Sequence, residues 1–394
     1  MQSAVDYVRL AAEKEINEGR VAGISVLALQ NGKELYRGCF GMADKEKGVP
    51  ITGDTMFRLF SMTKPITSVA TYILIERGLL MREDSVSKFL PGFCNQKVLT
   101  PDGLVPVNRE CTIADLLNMT SGLVYPDGGF AAGREMDKFF TEFTKNNAAG
   151  KRLGTVEFMN QVAQMPLEFH PGEAWRYGTS ADALGAVIEV VTGKRFGEFL
   201  REEIFEPLGM KDTGFTVTKE QRARLSVNYD WDGEHILTPY TENFLGLCDY
   251  EETTAFESGG AGLVTTIDDY ARFAQMLAGG GSLGDVRILG KKTVEYMTKG
   301  QLTEKQLAAI PLDTKKNLLL EGYNYGNLMR ILEEPAVSGM TTSRGEFGWD
   351  GWTGNYFCID PTEGYVFLYF MQRTNSGTTD IARRLKNICN AMVR

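Results

Sequence analysis

Strand signals crowd the two ends of this chain and are sparse in its middle. Near the N-terminus, Gly23-Ile24-Ser25-Val26-Leu27-Ala28-Leu29 runs into Asn31-Gly32 and then Glu34-Leu35-Tyr36-Arg37-Gly38-Cys39-Phe40. Asn-Gly between two apolar runs signals a hairpin closed by a type I′ turn. Near the C-terminus, Tyr356-Phe357-Cys358-Ile359, a turn over 360–364 and the run from Tyr365 to Met371 make a second strand pair. The last segment, Asp380 to Val393, spaces Ile381, Leu385, Ile388 and Met392 as a helix does. Residues of about 61–79, 112–120, 155–165, 180–193 and 197–207 read as helices separated by Gly- and Pro-containing loops. The strand signal returns only at Gly259 to Thr266. One sheet built from both chain ends, with a helical domain inserted, accounts for this layout. The expected fold is α/β in the α+β sense, an antiparallel sheet flanked by helices. Residues 1–85 and 256–394 form the sheet domain, and 86–255 the helical domain.

Composition removes several function classes. With 394 residues, 43% of them hydrophobic, the chain can bury a large core. A formal charge of −9 and scattered Lys and Arg argue against nucleic acid and against a membrane-surface patch. The N-terminal stretch MQSAVDYVRLAAEKEINEGR is an amphipathic helix without the apolar core of a signal peptide, and no run of about 18 apolar residues exists, so a cytoplasmic location is expected. Cys39, Cys94, Cys111, Cys248, Cys358 and Cys389 are widely spaced without a CxxC pair and read as reduced core residues.

Three short segments carry chemistry. The first is Phe57-Arg58-Leu59-Phe60-Ser61-Met62-Thr63-Lys64-Pro65, followed by an amphipathic helix with Ile66, Val69, Ala70, Ile73 and Leu74 on its apolar side. Ser61 at the helix start puts Lys64 one turn on, on the same face. Pro65 is tolerated in the first turn, and the helix N-terminus favours negative charge developing beside Ser61. A serine hydroxyl needs a base to become a nucleophile, and Lys64 can serve only if burial lowers its pKa. Ser-x-x-Lys alone is a weak signal: Ser85-Val86-Ser87-Lys88 matches too, but it lies in a polar stretch with no helix start and reads as surface.

The second segment, Trp175-Arg176-Tyr177-Gly178-Thr179-Ser180, puts a tyrosine on a tight turn ahead of a helix, where it either faces a cleft or packs as core. The third, Phe347-Gly348-Trp349-Asp350-Gly351-Trp352-Thr353-Gly354, enters the C-terminal strand pair, and such glycines let a ligand approach backbone N–H groups.

Taken in order and with their spacing, the three segments resemble the β-lactamase-related serine hydrolases: class C β-lactamases, D-Ala-D-Ala peptidases and family VIII carboxylesterases. Leu116-Leu117-Asn118-Met119-Thr120-Ser121-Gly122-Leu123, Phe205-Glu206-Pro207-Leu208-Gly209-Met210 and the run from Gly259 to Tyr270 also resemble that family. The resemblance covers nearly the whole chain and implies a β-lactamase/transpeptidase-like fold. It implies Ser61 as the acylated nucleophile, Lys64 and Tyr177 as proton-transfer groups, and the backbone N–H groups of Ser61 and Trp352 as the oxyanion hole. Thr179 stands where the family commonly has an asparagine that holds a substrate amide. Trp349-Asp350-Gly351 stands where β-lactamases and peptidases carry Lys-Thr-Gly, and Trp-x-Gly at this point is similar to family VIII carboxylesterases. Without that lysine a β-lactam or D-Ala-D-Ala peptide loses a charged anchor worth typically about 1.5–3 kcal/mol. Tyr125, Thr179, Trp349, Asp350 and Gly351 are therefore expected at the substrate, with Tyr125, Trp349 and Trp352 lining an acyl pocket.

The expected activity is hydrolysis of carboxylic esters on a small-molecule acyl substrate, with no metal and no organic cofactor. Acyl transfer to an alcohol, weak β-lactamase or D-Ala peptidase activity, and a non-catalytic binding role on the same fold are the alternatives. A His-dependent triad finds no support, because His170 precedes Pro171 in a structural turn and His235 sits in a polar loop, with no Gly-x-Ser-x-Gly elbow near either. Two isolated histidines do not make a zinc site.

Overall fold

A computed structural model of the chain describes residues 2–234, 236–247, 250 and 254–394; His235 and Cys248 lie outside the described residues. Its centre is an eight-stranded sheet of antiparallel pairs. The strands are β1 (Gly23–Gln30), β2 (Lys33–Asp44), β3 (Val49–Pro50), β4 (Tyr323–Gly326), β5 (Met329–Leu332), β6 (Phe347–Asp350), β7 (Tyr356–Asp360) and β8 (Tyr365–Phe370), in the order β4-β5-β6-β7-β8-β1-β2-β3. The chain ends meet at the β8–β1 pairing, with Ser25 opposite Phe370 and Gln30 opposite Tyr365. Asn31 and Gly32 both take positive φ, 49° and 75°, as a type I′ turn requires.

Side chains of β1 alternate between two cores, so the strand is buried throughout and reads as a continuous apolar run. Ile24, Val26 and Ala28 join Phe367 and Tyr369 under α1 (Gln2–Asn17) and the C-terminal helix Asp380–Asn390. Leu27 and Leu29 join Leu368, Phe370 and Phe357 on the opposite face, against helix Ile267–Ala278. That second core runs without a break into the segment between 86 and 255, through α2 (Thr63–Glu76) and α3 (Ser180–Thr192). The Leu117-Asn118 landmark is part of this seam. The β4–β5 turn docks on it, Leu328 N–H donating to the Leu117 carbonyl (2.8 Å) and Asn327 N–H to Asn118 Oδ1 (3.2 Å).

Several expectations need correction. Helix α2 is not amphipathic: every residue from Thr63 to Leu74 is buried, because the helix is enclosed on all sides. The run before Thr266 gives only the short strand Val264–Thr266, which pairs with Met56–Arg58 outside the main sheet. The expected helix at 197–207 is broken into Phe196–Leu200, a π-turn at Arg201–Phe205 and Glu206–Leu208. The helix Ala131–Ala148, with Met136, Phe140 and Phe143 buried, has no counterpart among the expected elements. Among the cysteines, Cys94 is exposed and Cys39 half-buried; Cys111, Cys358 and Cys389 lie in the core.

Candidate active site

Ser61 lies in a single 3₁₀ turn, Phe60–Met62, immediately before α2, rather than in the α-helix itself. Phe60 takes φ 46°, a left-handed conformation that costs a bulky residue of order 1–3 kcal/mol and is held only where the surroundings demand it. Here they do. The Arg58 carbonyl accepts from Asn355 Nδ2 (2.7 Å) and Gln372 Nε2 (3.1 Å), Leu59 N–H donates to the Leu263 carbonyl (2.8 Å), and the Phe60 ring meets Trp352 edge-on at 5.0 Å.

One turn further, the Lys64 side chain is fully buried. Its Nζ lies 3.2 Å from Ser61 Oγ, 3.1 Å from Tyr125 Oη and 2.9 Å from the Gly260 carbonyl. It also sits 4.5 Å from the centre of the Tyr177 ring. Burial brings its pKa down to about 7, against an opposing pull from the charges of Asp182 and Asp350. The Gly260 carbonyl is itself fixed by Asp182, whose Oδ1 accepts from Gly260 N–H (3.0 Å) and Ser258 Oγ (2.5 Å). A Cβ at position 260 would stand 2.7 Å from Tyr125 Oη and 2.8 Å from Asp182 Oδ2, so only glycine lets these groups meet.

Tyr177 Oη accepts from the indole N–H of Trp349 (3.0 Å). Burial pushes the phenol pKa well above its ordinary value; hydrogen bonds to Ser61 and Trp349 pull it down, and the charges of Asp350 and Asp182 add to the rise. Gly178 lets this turn press on Leu123-Val124: a Cβ there would lie 2.2 Å from the Leu123 carbonyl oxygen.

The structure thus gathers Ser61, Lys64, Tyr125 and Tyr177 around one amine. The other expected substrate residues stand differently. Trp349 is buried and serves Tyr177 rather than an open pocket. Asp350 is committed to Arg330 Nη1 (2.9 Å) and Thr378 Oγ1 (2.5 Å), with both members of the ion pair buried. Thr179 is fully buried just ahead of α3, and its hydroxyl has no hydrogen-bond partner among the described residues. Gly351 packs against the Leu59 carbonyl. The Trp352 ring lies at the surface of the site, stacked on Phe244 at 4.4 Å, and its indole N–H donates to Asn375 Oδ1 (2.8 Å). Asp182 and Arg330 are the functional charges that sequence reasoning misses; Arg330 is the one charge in its strand, and Asp182 stands in the first turn of a helix whose other acid is Glu189. The decoy Lys88 is exposed and paired with Asp84, and His170 Nδ1 accepts from Asn108 N–H.

Residues 8–388 match the Beta-lactamase family model. The chain belongs to the Beta-lactamase family. Within that family it is similar to Protein Rv1367c of Mycobacterium tuberculosis, 29% identical over 377 residues, covering 92% of this chain and 89% of the relative. It is 28% identical over 404 residues to Esterase EstB of Burkholderia gladioli, covering 95% and 93%. The solved structure of EstCE1, a hydrolase with promiscuous acyltransferase activity, superposes with a TM-score of 0.82 at 26% identity, covering 100% of this chain and 99% of that one. The β-lactamase/transpeptidase-like fold and the serine-hydrolase class are thereby shown for this chain. Among its described residues no helix is long and apolar enough to cross a membrane.

Proposed function

We propose that this Beta-lactamase family member cleaves carboxylic esters through an acyl-enzyme on Ser61, with Lys64 and Tyr177 as a coupled proton-transfer pair. The observation that carries the proposal is the buried Lys64 amine 3.2 Å from Ser61 Oγ, with a pKa brought down to about 7. A neutral amine is then populated near neutral pH and accepts the serine proton as Oγ bonds to the carbonyl carbon. The backbone N–H groups of Ser61 and Trp352 are the intended donors to the oxyanion. Collapse breaks the ester C–O bond, and the proton passes through Tyr177 to the departing alkoxide. Water then reverses the sequence, giving its proton to the pair and freeing the acid.

An uncharged ester suits the third motif better than a carboxylate-bearing substrate does. Arg330 lies 5.4 Å from the centre of the Trp349 ring, but it is spent on Asp350 in a buried ion pair. Similarity to Esterase EstB supports the same reading. The promiscuous acyltransferase activity of EstCE1 favours a second activity here, transfer of the acyl group to an alcohol on the same site. The test is a parallel assay on a short-chain p-nitrophenyl ester and on nitrocefin, with Ser61→Ala as control. Ester cleavage without nitrocefin turnover, both lost in Ser61→Ala, is expected. Turnover retained in Ser61→Ala would refute the mechanism, and fast nitrocefin cleavage would refute the substrate class.

A further inference from the structure

Two buried polar groups beside Tyr177 have no role in the mechanism above. Tyr325, on β4, is fully buried, and its hydroxyl makes no hydrogen bond among the described residues. Trp175 is 3% exposed, and its indole N–H makes none either. More than nine-tenths of buried polar groups are paired, because an unpaired one costs about 1–3 kcal/mol. Phenylalanine would pack in either place without that cost.

The two residues are neighbours, and both border Tyr177. Their rings meet edge-on at 5.2 Å. The Trp175 indole lies 6.3 Å from the Tyr177 ring in a near-parallel stack, while Tyr325 packs edge-on at 5.2 Å against Trp349, the donor to Tyr177 Oη. The Tyr325 phenol is also close enough to the phenols of Tyr177 and Tyr125 for a direct electrostatic interaction. An indole N–H can only donate, and a phenol can donate or accept. A small hydroxyl can satisfy both, accepting from the indole and donating to or accepting from the phenol.

We propose that Tyr325 and Trp175 form a hydroxyl-binding subsite that holds the acyl acceptor, water or a small alcohol, next to Tyr177. The proposal rests on the Ser61 acyl-enzyme reading. From this subsite the acceptor oxygen bonds to the acyl carbon while its proton passes to the Tyr177–Lys64 pair. The acyl C–O bond to Ser61 breaks, and Oγ takes the proton back, so the enzyme returns to its starting state.

The test separates acylation from deacylation in Tyr325→Phe, a change that keeps the ring and removes only the hydroxyl. Stopped-flow bursts with p-nitrophenyl acetate give the two rates, and product analysis in increasing methanol gives the share of acid and methyl ester. The expected result is an acylation rate within twofold of wild type and deacylation slowed about tenfold. If water is the held acceptor, hydrolysis falls and the methyl ester share rises. If the alcohol is held, the methyl ester share falls. Trp175→Phe must give the same split; it also supplies the answer if Tyr325→Phe does not fold. Deacylation unchanged, or slowed by the same factor as acylation, would overturn the subsite. A burst that persists in Ser61→Ala would instead strike the acyl-enzyme reading beneath it.

Discussion

Methionine at position 64 would remove a buried amine while keeping an unbranched side chain of similar length. In the folded protein the Lys64 pKa stands at about 7 against an ordinary 10.5. At about 1.4 kcal/mol for each tenfold change in proton affinity, burying the ammonium costs of order 5 kcal/mol. Because the folded pKa is the lower of the two, the unfolded chain holds a proton between pH 7 and 10.5 that the folded chain does not. The free energy of unfolding therefore rises with pH through that window, and the full cost is felt below pH 7. Integrated from pH 6 to pH 9, the Lys64 contribution comes to about 3 kcal/mol. Urea titration of wild type and Lys64→Met at the two pH values, followed by tryptophan fluorescence and far-ultraviolet circular dichroism, measures it. Other titrating groups are common to both proteins, so the difference between them isolates Lys64. The variant should gain on wild type at pH 6 relative to pH 9 by about 3 kcal/mol, with esterase activity lost throughout. If the two proteins keep the same gap at both pH values, Lys64 does not change protonation in this range, and the base assignment fails with it.

Three further outcomes follow from the geometry. Asp182→Asn keeps an acceptor for Ser258 and Gly260 but removes a charge that favours the Lys64 ammonium. The acid limb of the kcat/KM profile should move to lower pH, and an unmoved limb would mean that Lys64 does not set it. Trp349→Phe removes the hydrogen bond to Tyr177 Oη; kcat should fall about five- to tenfold with KM within twofold, matching about 1 kcal/mol for a neutral bond. Arg330→Met leaves Asp350 buried without its cation, which should cost about 3–5 kcal/mol in a thermal or urea melt, and an unchanged midpoint would exclude a structural role for the pair.

Much of this arrangement is legible in the sequence because it follows from local rules. Asn31-Gly32 prescribes a turn, and burial of both faces of β1 and β8 makes both strands apolar runs. The spacing from Ser61 to Lys64 fixes one face. What stays hidden depends on partners far along the chain. Asp350 looks like an acid offered to substrate until β5 lies beside β6, with Arg330 opposite Gly348, and brings in the cation. Trp349 looks like a pocket wall until Tyr177, 172 residues earlier, claims its N–H. Helix Ala131–Ala148 carries a helical spacing in Met136, Phe140 and Phe143, but Phe130 gives its N-terminus no side-chain cap and Gly133 sits in its first turn, so the usual start signal is missing.

The conformation of Phe60 is a feature that local rules argue against, since a phenylalanine at φ 46° contradicts its own propensity. The groups that hold it are supplied largely by the third motif and the strands around it: Trp352 packs on its ring, and Asn355, Thr353 and Gln372 all donate to the Arg58 carbonyl just upstream. Leu263, beside the Gly259–Gly262 run, takes the next N–H. The Trp349-Asp350-Gly351-Trp352 segment therefore acts twice, through Trp349 on Tyr177 and through Trp352 and its followers on the turn that presents Ser61. A substitution there would disturb nucleophile and proton-transfer group together, so a fall in kcat counts as lost substrate contact only when the rate of Ser61 acylation, measured separately, shows that the nucleophile is intact.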